Sequence, residues 1–162
     1  MIRSVRDILA CTPWGPGTEL EIRFSIPLRT FDIAHRHWGS WHRSSPEPTD
    51  STVLINDASD LRCVDGEWQR KRTIVRDSMH VAGKCRCRVA LSVESRSAEP
   101  PSPSDWSVRR RKRRWVYATG SWEVHWTKLQ DSAEVELEYT GEYGDLLASD
   151  SLCDLSVPMR VL

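Results

Sequence analysis

The segment AEVELEY, Ala133 to Tyr139, sets Glu134, Glu136 and Glu138 at alternate positions, with Val135, Leu137 and Tyr139 between them. A period of two is the period of a β-strand, so the three carboxylates share one face and the apolar side chains the other. Like charges on one face repel unless water or a cation relieves them. TELEIRF near the N-terminus repeats the device, with Glu19 and Glu21 on one face and Leu20, Ile22 and Phe24 on the other. Bases are stacked in the same way: Arg86 with Arg88, and Arg110 with Lys112 and Arg114. Any one such strand is satisfied by a sheet that turns its charges to bulk water. Taken together, the strands fit a different arrangement, in which charged faces line a polar lumen and apolar faces pack on the outside.

The rest of the chain supplies enough strands for that closure. STVLIN is a short strand, and LRCV-DG-EWQRKRTIV is a hairpin whose Asp65-Gly66 pair suits a type I′ turn. A further strand runs from about Lys84 to Glu94, and SVRRRKRRWVY-ATG-SWEVHWTKL forms a second hairpin before AEVELEY. With ELEIRFSI, closed by Pro27, this makes roughly eight strands, enough for a small barrel. Two helices are expected before the sheet is complete: one from Ser4 to the Pro13 region, and one in TFDIAHRHWGSW with Phe31, Ala34, Trp38 and Trp41 on its packed face. The C-terminal GDLLASDSLCDLSVPMRVL is expected to hold a brief helix. The fold class is therefore α+β, an antiparallel eight-stranded barrel with a few short flanking helices. At 162 residues the chain suits one domain, 1–162, with its motif-bearing core at about 18–142.

Composition restricts the partners less than the charge pattern does. The 23 basic and 23 acidic residues cancel, so net charge names no partner. Five cysteines, an odd number without a Cys-x-x-Cys pair, read as reduced thiols. With no apolar signal segment at the start and no run of transmembrane length, an intracellular setting is expected, nucleus or cytoplasm, and a virus-encoded protein fits equally.

Clustered carboxylates have one good physical justification, a hard divalent cation. Mg²⁺ or Mn²⁺ prefers oxygen ligands in octahedral geometry and keeps positions for water and substrate phosphate. Same-face residues of a strand lie about 7 Å apart and neighbouring strands about 4.8 Å, so glutamates from two adjacent strands can converge on one ion. Arginine meets phosphate oxygens with a forked pair of donors, and phosphoryl transfer rests on positioning and charge neutralisation.

ELEIRF and VELEY resemble the paired glutamate motifs of the triphosphate tunnel metalloenzymes, in particular the fungal and viral type of metal-dependent mRNA 5′-triphosphatase, the first enzyme of mRNA capping. RRRKRRWVYATGSWEVHWTKL is similar to that family's Arg-x-Lys-x-Arg strand, turn and returning strand ending in Thr-Lys. The order of the motifs agrees, and the likeness extends from Glu19 to Glu142. The resemblance implies a hydrolase acting on phosphoanhydride bonds, with Mg²⁺ or Mn²⁺ as cofactor. It implies Glu19, Glu21 and Glu138 as metal ligands, and Glu136 holding the attacking water, as general base or orienter, with Glu134 in support. It also implies Arg110, Lys112 and Arg114 on the γ- and β-phosphates, with Arg88 lining the tunnel. A further basic residue is expected from QRKRTIVRD, either Arg72 or Arg76. A slip of one residue in RRRKRR would exchange Arg110, Lys112 and Arg114 for their neighbours. The family tends to carry an acidic residue on the returning strand where this chain has His125, which is then expected to contact phosphate. The chain is also short for the family.

The implied partners are 5′-triphosphorylated RNA, nucleoside triphosphates and an RNA guanylyltransferase. Two other readings compete: a small-molecule triphosphatase of the same superfamily, acting on inorganic or thiamine triphosphate, and a non-catalytic RNA-binding barrel. RRRKRR also has the composition of a nuclear localisation signal or nucleic-acid patch, and outward arginines such as Arg109 and Arg111 suit RNA phosphates. His35, His37 and His42 match no standard zinc spacing. Tryptophans of the returning strand, Trp122 and Trp126, alternate as packing residues do.

Overall fold

The computed structural model describes residues 9–10, 14–43, 45–56, 59–81, 85–97, 106, 108–142 and 144–145. Eight strands and one helix are laid out in the order β1 (Thr18–Ile26), α1 (Leu28–Gly39), β2 (Thr49–Asn56), β3 (Leu61–Val64), β4 (Glu67–Val81), β5 (Cys85–Arg96), β6 (Val108–Thr119), β7 (Trp122–Lys128) and β8 (Ala133–Tyr139). They close an antiparallel barrel in the order β1-β5-β4-β3-β2-β6-β7-β8, so β1 is the staple that joins β5 to β8. Closure pairs each of the described strands on both sides.

Local chemistry accounts for the turns. Asp65 and Gly66 both have positive φ, 49° and 92°, as the type I′ turn between β3 and β4 requires. Gly17 leads into β1 at φ 75°, and a Cβ there would lie 2.3 Å from the Glu94 carbonyl oxygen. That close approach allows the Glu94 amide to donate to the Gly17 carbonyl at 2.8 Å, which ties β1 to β5.

The apolar faces look outward and are covered there. Leu20, Ile22 and Phe24 of β1, Val89 and Leu91 of β5, Val124 and Trp126 of β7, and Val135 and Leu137 of β8 are all buried. They share one core with Phe31 and Trp38 of α1. Helix α1 lies on β6 and β7 through aromatic contacts: Phe31 meets Trp126 edge-on at 5.7 Å and Trp115 at 5.8 Å. The expected helical face holds through Trp38, but Trp41 is 52% exposed because the helix stops at Gly39. The strand expected from Lys84 to Glu94 runs from Cys85 to Arg96. Of the first expected helix only Leu9 and Ala10 are described, both helical, and of the C-terminal one only residues 144–145; the remainder lies outside the described residues.

His35 of α1 and His42 just beyond its end are packing groups. His35 Nε2 and the Tyr117 hydroxyl are 2.9 Å apart, and His42 lies against the Tyr117 ring at 4.8 Å. The basic run is a strand of the barrel wall, β6, rather than a free peptide.

Candidate functional site

Because the apolar faces point out, the alternate residues of each strand point into the lumen. Two connected cavities of about 390 and 420 Å³ occupy it. They share Glu21, Arg23, Arg62, Lys71 and Lys112, so the space is continuous. Glu19, Glu21, Glu136 and Glu138 line the first cavity together with Lys112 and Arg114; Arg76, Arg88 and Arg110 line the second. Glu134 faces the same side as Glu136 and lies 3.2 Å from Arg23 Nη1.

Register explains how the acidic faces meet. Between β1 and β8, Glu21 stands directly opposite Glu138, Arg23 opposite Glu136 and Ser25 opposite Glu134. On the other side of β1, Glu19 faces Ser92 and Glu21 faces Ala90, small residues that leave room above the carboxylates. The like charges are relieved by cations interleaved among them. Arg23 Nη2 lies 2.8 Å from Glu21 Oε1 and also contacts Glu136. Lys71 Nζ bridges Glu19 Oε2 at 2.8 Å and Glu21 Oε2 at 3.5 Å, and Arg88 Nη2 is 3.4 Å from Glu21 Oε1. Arg114 Nη2 donates to Glu136 Oε2 at 2.5 Å while its Nε donates to Thr127 Oγ1 at 3.1 Å.

Each predicted residue can now be placed. Arg110, Lys112 and Arg114 face the lumen, and Arg109, Arg111 and Arg113 face out. A bulge between Thr73 and Val75 changes the phase of β4, which brings Arg76 to the lumen; Arg72, upstream of the bulge, lines neither cavity. His125 is not among the basic lining where a phosphate contact was expected. It sits on β7 opposite Glu136, with Nε2 and Glu123 Oε2 2.9 Å apart and Nδ1 3.9 and 3.8 Å from Glu136 and Glu138. Its three carboxylate neighbours make it part of the acidic side of the site.

Among the lumen residues that sequence reasoning missed are Arg23, Arg62, Lys71 and Glu94, which are ion-paired there. The signal for Arg23 was present, since it follows Glu19 and Glu21 in the same alternation. Lys71 shares a face with Gln69 beyond the Asp65-Gly66 turn, and Glu94 shares one with Arg88.

The ionisable groups of the lumen are shifted in different directions. Burial pushes the Glu136 carboxyl up, but His125, Arg23, Arg114 and Lys112 outweigh it and hold this group well below the usual carboxylate range. Glu138 moves the other way: burial raises it, only partly opposed by His125 and Lys71, and Glu123 and Glu21 add like charge. Glu19 is also raised, burial prevailing over Lys71. Burial lowers Lys112 to about 8, the attraction of Glu136 being countered by Arg114 and Arg23. Arg110 and Lys112 have no carboxylate in ion-pair contact among the described residues. Glu19 and Glu138, whose charged forms burial disfavours, thus share the lumen with these two basic residues.

That donor set suits a hard cation in kind, being all carboxylate oxygen on adjacent strands. Among the described residues no three acidic, His or Cys side chains already converge as a metal site, since Lys71 and Arg23 stand between them. Glu138, the carboxylate opposite Glu21, has His125 Nδ1 at 3.8 Å as its ion-pair partner among the described residues, so it is the group with most to gain from a cation.

No protein-family model matches the chain, and no curated protein matches it. Solved structures do. The S. pombe Pct1 RNA triphosphatase superposes with a TM-score of 0.69 at 14% identity, covering 97% of this chain and 85% of that one. Its complex with the Spt5 CTD gives 0.68 at 13% identity, covering 97% and 84%. The Mimivirus capping enzyme triphosphatase gives 0.67 at 13% identity, covering 99% of this chain and 100% of that one. The closed eight-stranded barrel of this chain, with its charged lumen, has the fold of these RNA triphosphatases.

Proposed function

We propose that the chain is a metal-dependent polynucleotide 5′-triphosphatase, which removes the γ-phosphate of triphosphate-ended RNA as in mRNA capping. The observation that carries this reading is one lumen in which the carboxylates of β1 and β8 stand beside cations of β4, β5 and β6. A triphosphate is the ligand that needs both: a cation shared with the carboxylates, and guanidinium and ammonium groups for its remaining charge. Glu19, Glu21 and Glu138 would hold Mg²⁺ or Mn²⁺. Bound there, the cation supplies charge neutralisation and polarisation of the γ-phosphate.

The chain's own residues have separable tasks. Arg110, Lys112 and Arg114 bind the β- and γ-phosphate oxygens, with Arg76 and Arg88 further along the lumen. Arg114 donates to Glu136 as well. Glu136 accepts a hydrogen bond from the attacking water and aims it in line with the bond from γ-phosphorus to its bridging oxygen. Glu136, ion-paired with Arg23 and Arg114, is placed to orient the water. Glu134 and Arg23 hold Glu136 in place. The bridging oxygen leaves on the diphosphate end, and the water oxygen departs in inorganic phosphate, one of the water's protons staying on that phosphate and the other passing to solvent. The diphosphate end is the substrate an RNA guanylyltransferase would consume.

The test is phosphate release with Mg²⁺ or Mn²⁺, compared among triphosphate-ended RNA, ATP and inorganic triphosphate. RNA turnover that requires the metal and disappears in Glu21→Ala and Glu136→Ala is the expected result. Turnover confined to inorganic or thiamine triphosphate would give the function to the small-molecule branch. RNA binding without any turnover would leave a binding module.

A further inference from the structure

The lumen uses only one face of the β6 run. Arg109, Arg111 and Arg113 are exposed on the outer wall, where a groove of about 530 Å³ is lined by Arg111, Arg113, Lys128 and Gln130. The groove shares Asp50, Ser51, Asp65 and Lys112 with the cavity that holds Glu19, Glu21 and Glu138, so groove and lumen meet at one mouth. Both acids of the groove are engaged already. Asp50 Oδ1 is 3.7 Å from Arg113 Nε, and Asp65 Oδ1 accepts from the Thr52 amide at 2.7 Å. Arg109 and Arg111 have no acidic partner among the described residues.

We propose that this groove carries the RNA strand behind the 5′-triphosphate, with its phosphates along Arg111 and Arg113 and onward to Arg109 on the same outer face of β6; Lys128, beside Arg113 on β7 and ion-paired with Asp32, borders the groove. The inference rests on the reading of the lumen as a triphosphate site. A triphosphate held at Lys112 is tethered to a polyanion that must leave by a mouth, and the mouth at Lys112 opens on this row of cations. Alternate residues of a strand stand about 7 Å apart, a spacing an extended nucleic-acid strand can match phosphate by phosphate. Arginines at that spacing grip phosphates without reading bases, which suits an enzyme that must accept any transcript. An acidic protein segment would match the charge, but nothing would tether it to the lumen.

The decisive variant is Arg109→Gln/Arg111→Gln/Arg113→Gln in the full chain, beside the charge-keeping triple change to lysine. The probe is a fluorescent 5′-hydroxyl oligoribonucleotide, whose binding needs no catalysis. The glutamine triple is expected to bind it at least about tenfold more weakly, with the salt slope of the affinity reduced by about 2 for three lost phosphate contacts. The lysine triple keeps the slope. The KM for triphosphate-ended RNA rises in parallel, while hydrolysis of inorganic triphosphate stays at the wild-type rate. Wild-type RNA affinity in the glutamine triple overturns the inference, and so does an equal loss with inorganic triphosphate. Displacement of the RNA by a phosphorylated acidic peptide of matched charge, with no advantage for a triphosphate end, would assign the groove to a protein partner instead. Should the wild-type chain release no phosphate, loss of RNA binding in the glutamine triple still upholds the groove, and only the triphosphatase reading falls.

Discussion

Replacing Arg23 with methionine removes the guanidinium that stands among three lumen carboxylates while keeping most of the side chain's volume. Arg23 lies 2.8 Å from Glu21 and 3.2 Å from Glu134 and contacts Glu136, with its side chain 17% exposed and that of Glu136 4%. At an effective dielectric constant of about 20 these two distances correspond to roughly 6 and 5 kcal/mol of attraction, gross values that desolvation largely cancels. What the variant leaves behind matters more: removing one partner of a buried pair costs about 3–5 kcal/mol because a charge stays buried without compensation. Glu136 keeps Arg114, so the lower end, about 3 kcal/mol, is expected. That loss moves a urea midpoint by roughly 1.5–2 M for a chain of this size. The measurement is equilibrium urea unfolding in the presence of a chelator, so that no cation replaces the guanidinium. Two companion results follow from the same cause. Glu134 has Arg23 as its ion-pair partner among the described residues, so Arg23→Met/Glu134→Gln should recover about 1 kcal/mol or more of the loss. The pH dependence has a definite sign. The Glu136 carboxyl is depressed in the folded chain, so it contributes stability above its ordinary value of 4.5, and that contribution is lost as pH falls toward the folded value. Removing Arg23 shrinks the contribution, and the gap between wild type and variant is widest near neutrality and narrows below pH 4.5. A loss under about 1 kcal/mol at neutral pH, or one of equal size on both sides of 4.5, would mean that these carboxylates are solvated and that the interleaved-charge account of the lumen is wrong.

Four further outcomes are expected. Glu21→Gln and Glu138→Gln should each weaken binding of Mn²⁺, followed by titration calorimetry, by at least about tenfold, and lower metal-dependent phosphate release further, because each removes an anionic oxygen donor. Lys112, lowered by burial to about 8, should lose its charge in the empty enzyme as pH rises through that value, so kcat/KM for a triphosphate falls above it and Lys112→Arg keeps its rate. The same depressed lysine makes folding stability rise between about 8 and its ordinary 10.5, and Lys112→Met should abolish that rise in thermal unfolding. Gly17→Ala should cost about 2–4 kcal/mol by thermal or urea unfolding, since the new Cβ would meet the Glu94 carbonyl oxygen at a residue whose φ is 75°.

Alternation made the barrel legible in the chain, because period-two patterns state which residues share a face without reference to neighbouring strands. Glu19 with Glu21, Glu134 with Glu136 and Glu138, and Arg110 with Lys112 and Arg114 all follow from that rule alone. Facts that depend on pairs of strands were not legible. Nothing local specifies that β1 inserts between β5 and β8, which is what puts Glu21 opposite Glu138. Arg76 rather than Arg72 reaches the lumen because of one bulge between Thr73 and Val75, where no Gly or Pro gives notice of it. Trp41 matched the helical face by spacing, but spacing carries no information on where the helix ends, and the turn after Gly39 left it outside the core.

Register also resolves the difficulty that like-charged strand faces pose. Arg23 lies opposite Glu136, and Lys71 reaches Glu19 and Glu21, so every run of carboxylates is threaded by a base from the same or a facing strand. The lumen can fold as a near-neutral lattice because each buried anion has a cation in reach, which a stack of glutamates alone could not do. The same lattice sets the terms of binding. A cation that takes over Glu19 and Glu21 frees Lys71 and Arg88 from them, and an anion that takes over Arg114 frees Glu136. Each ligand releases the groups that suit the other, so a divalent ion and a triphosphate are better accommodated together than either alone. A purely cationic lumen would grip a triphosphate strongly and have no means of placing water or metal at its end; under the function proposed above, the interleaved carboxylates of β1 and β8 are what would turn a phosphate-binding barrel toward hydrolysis.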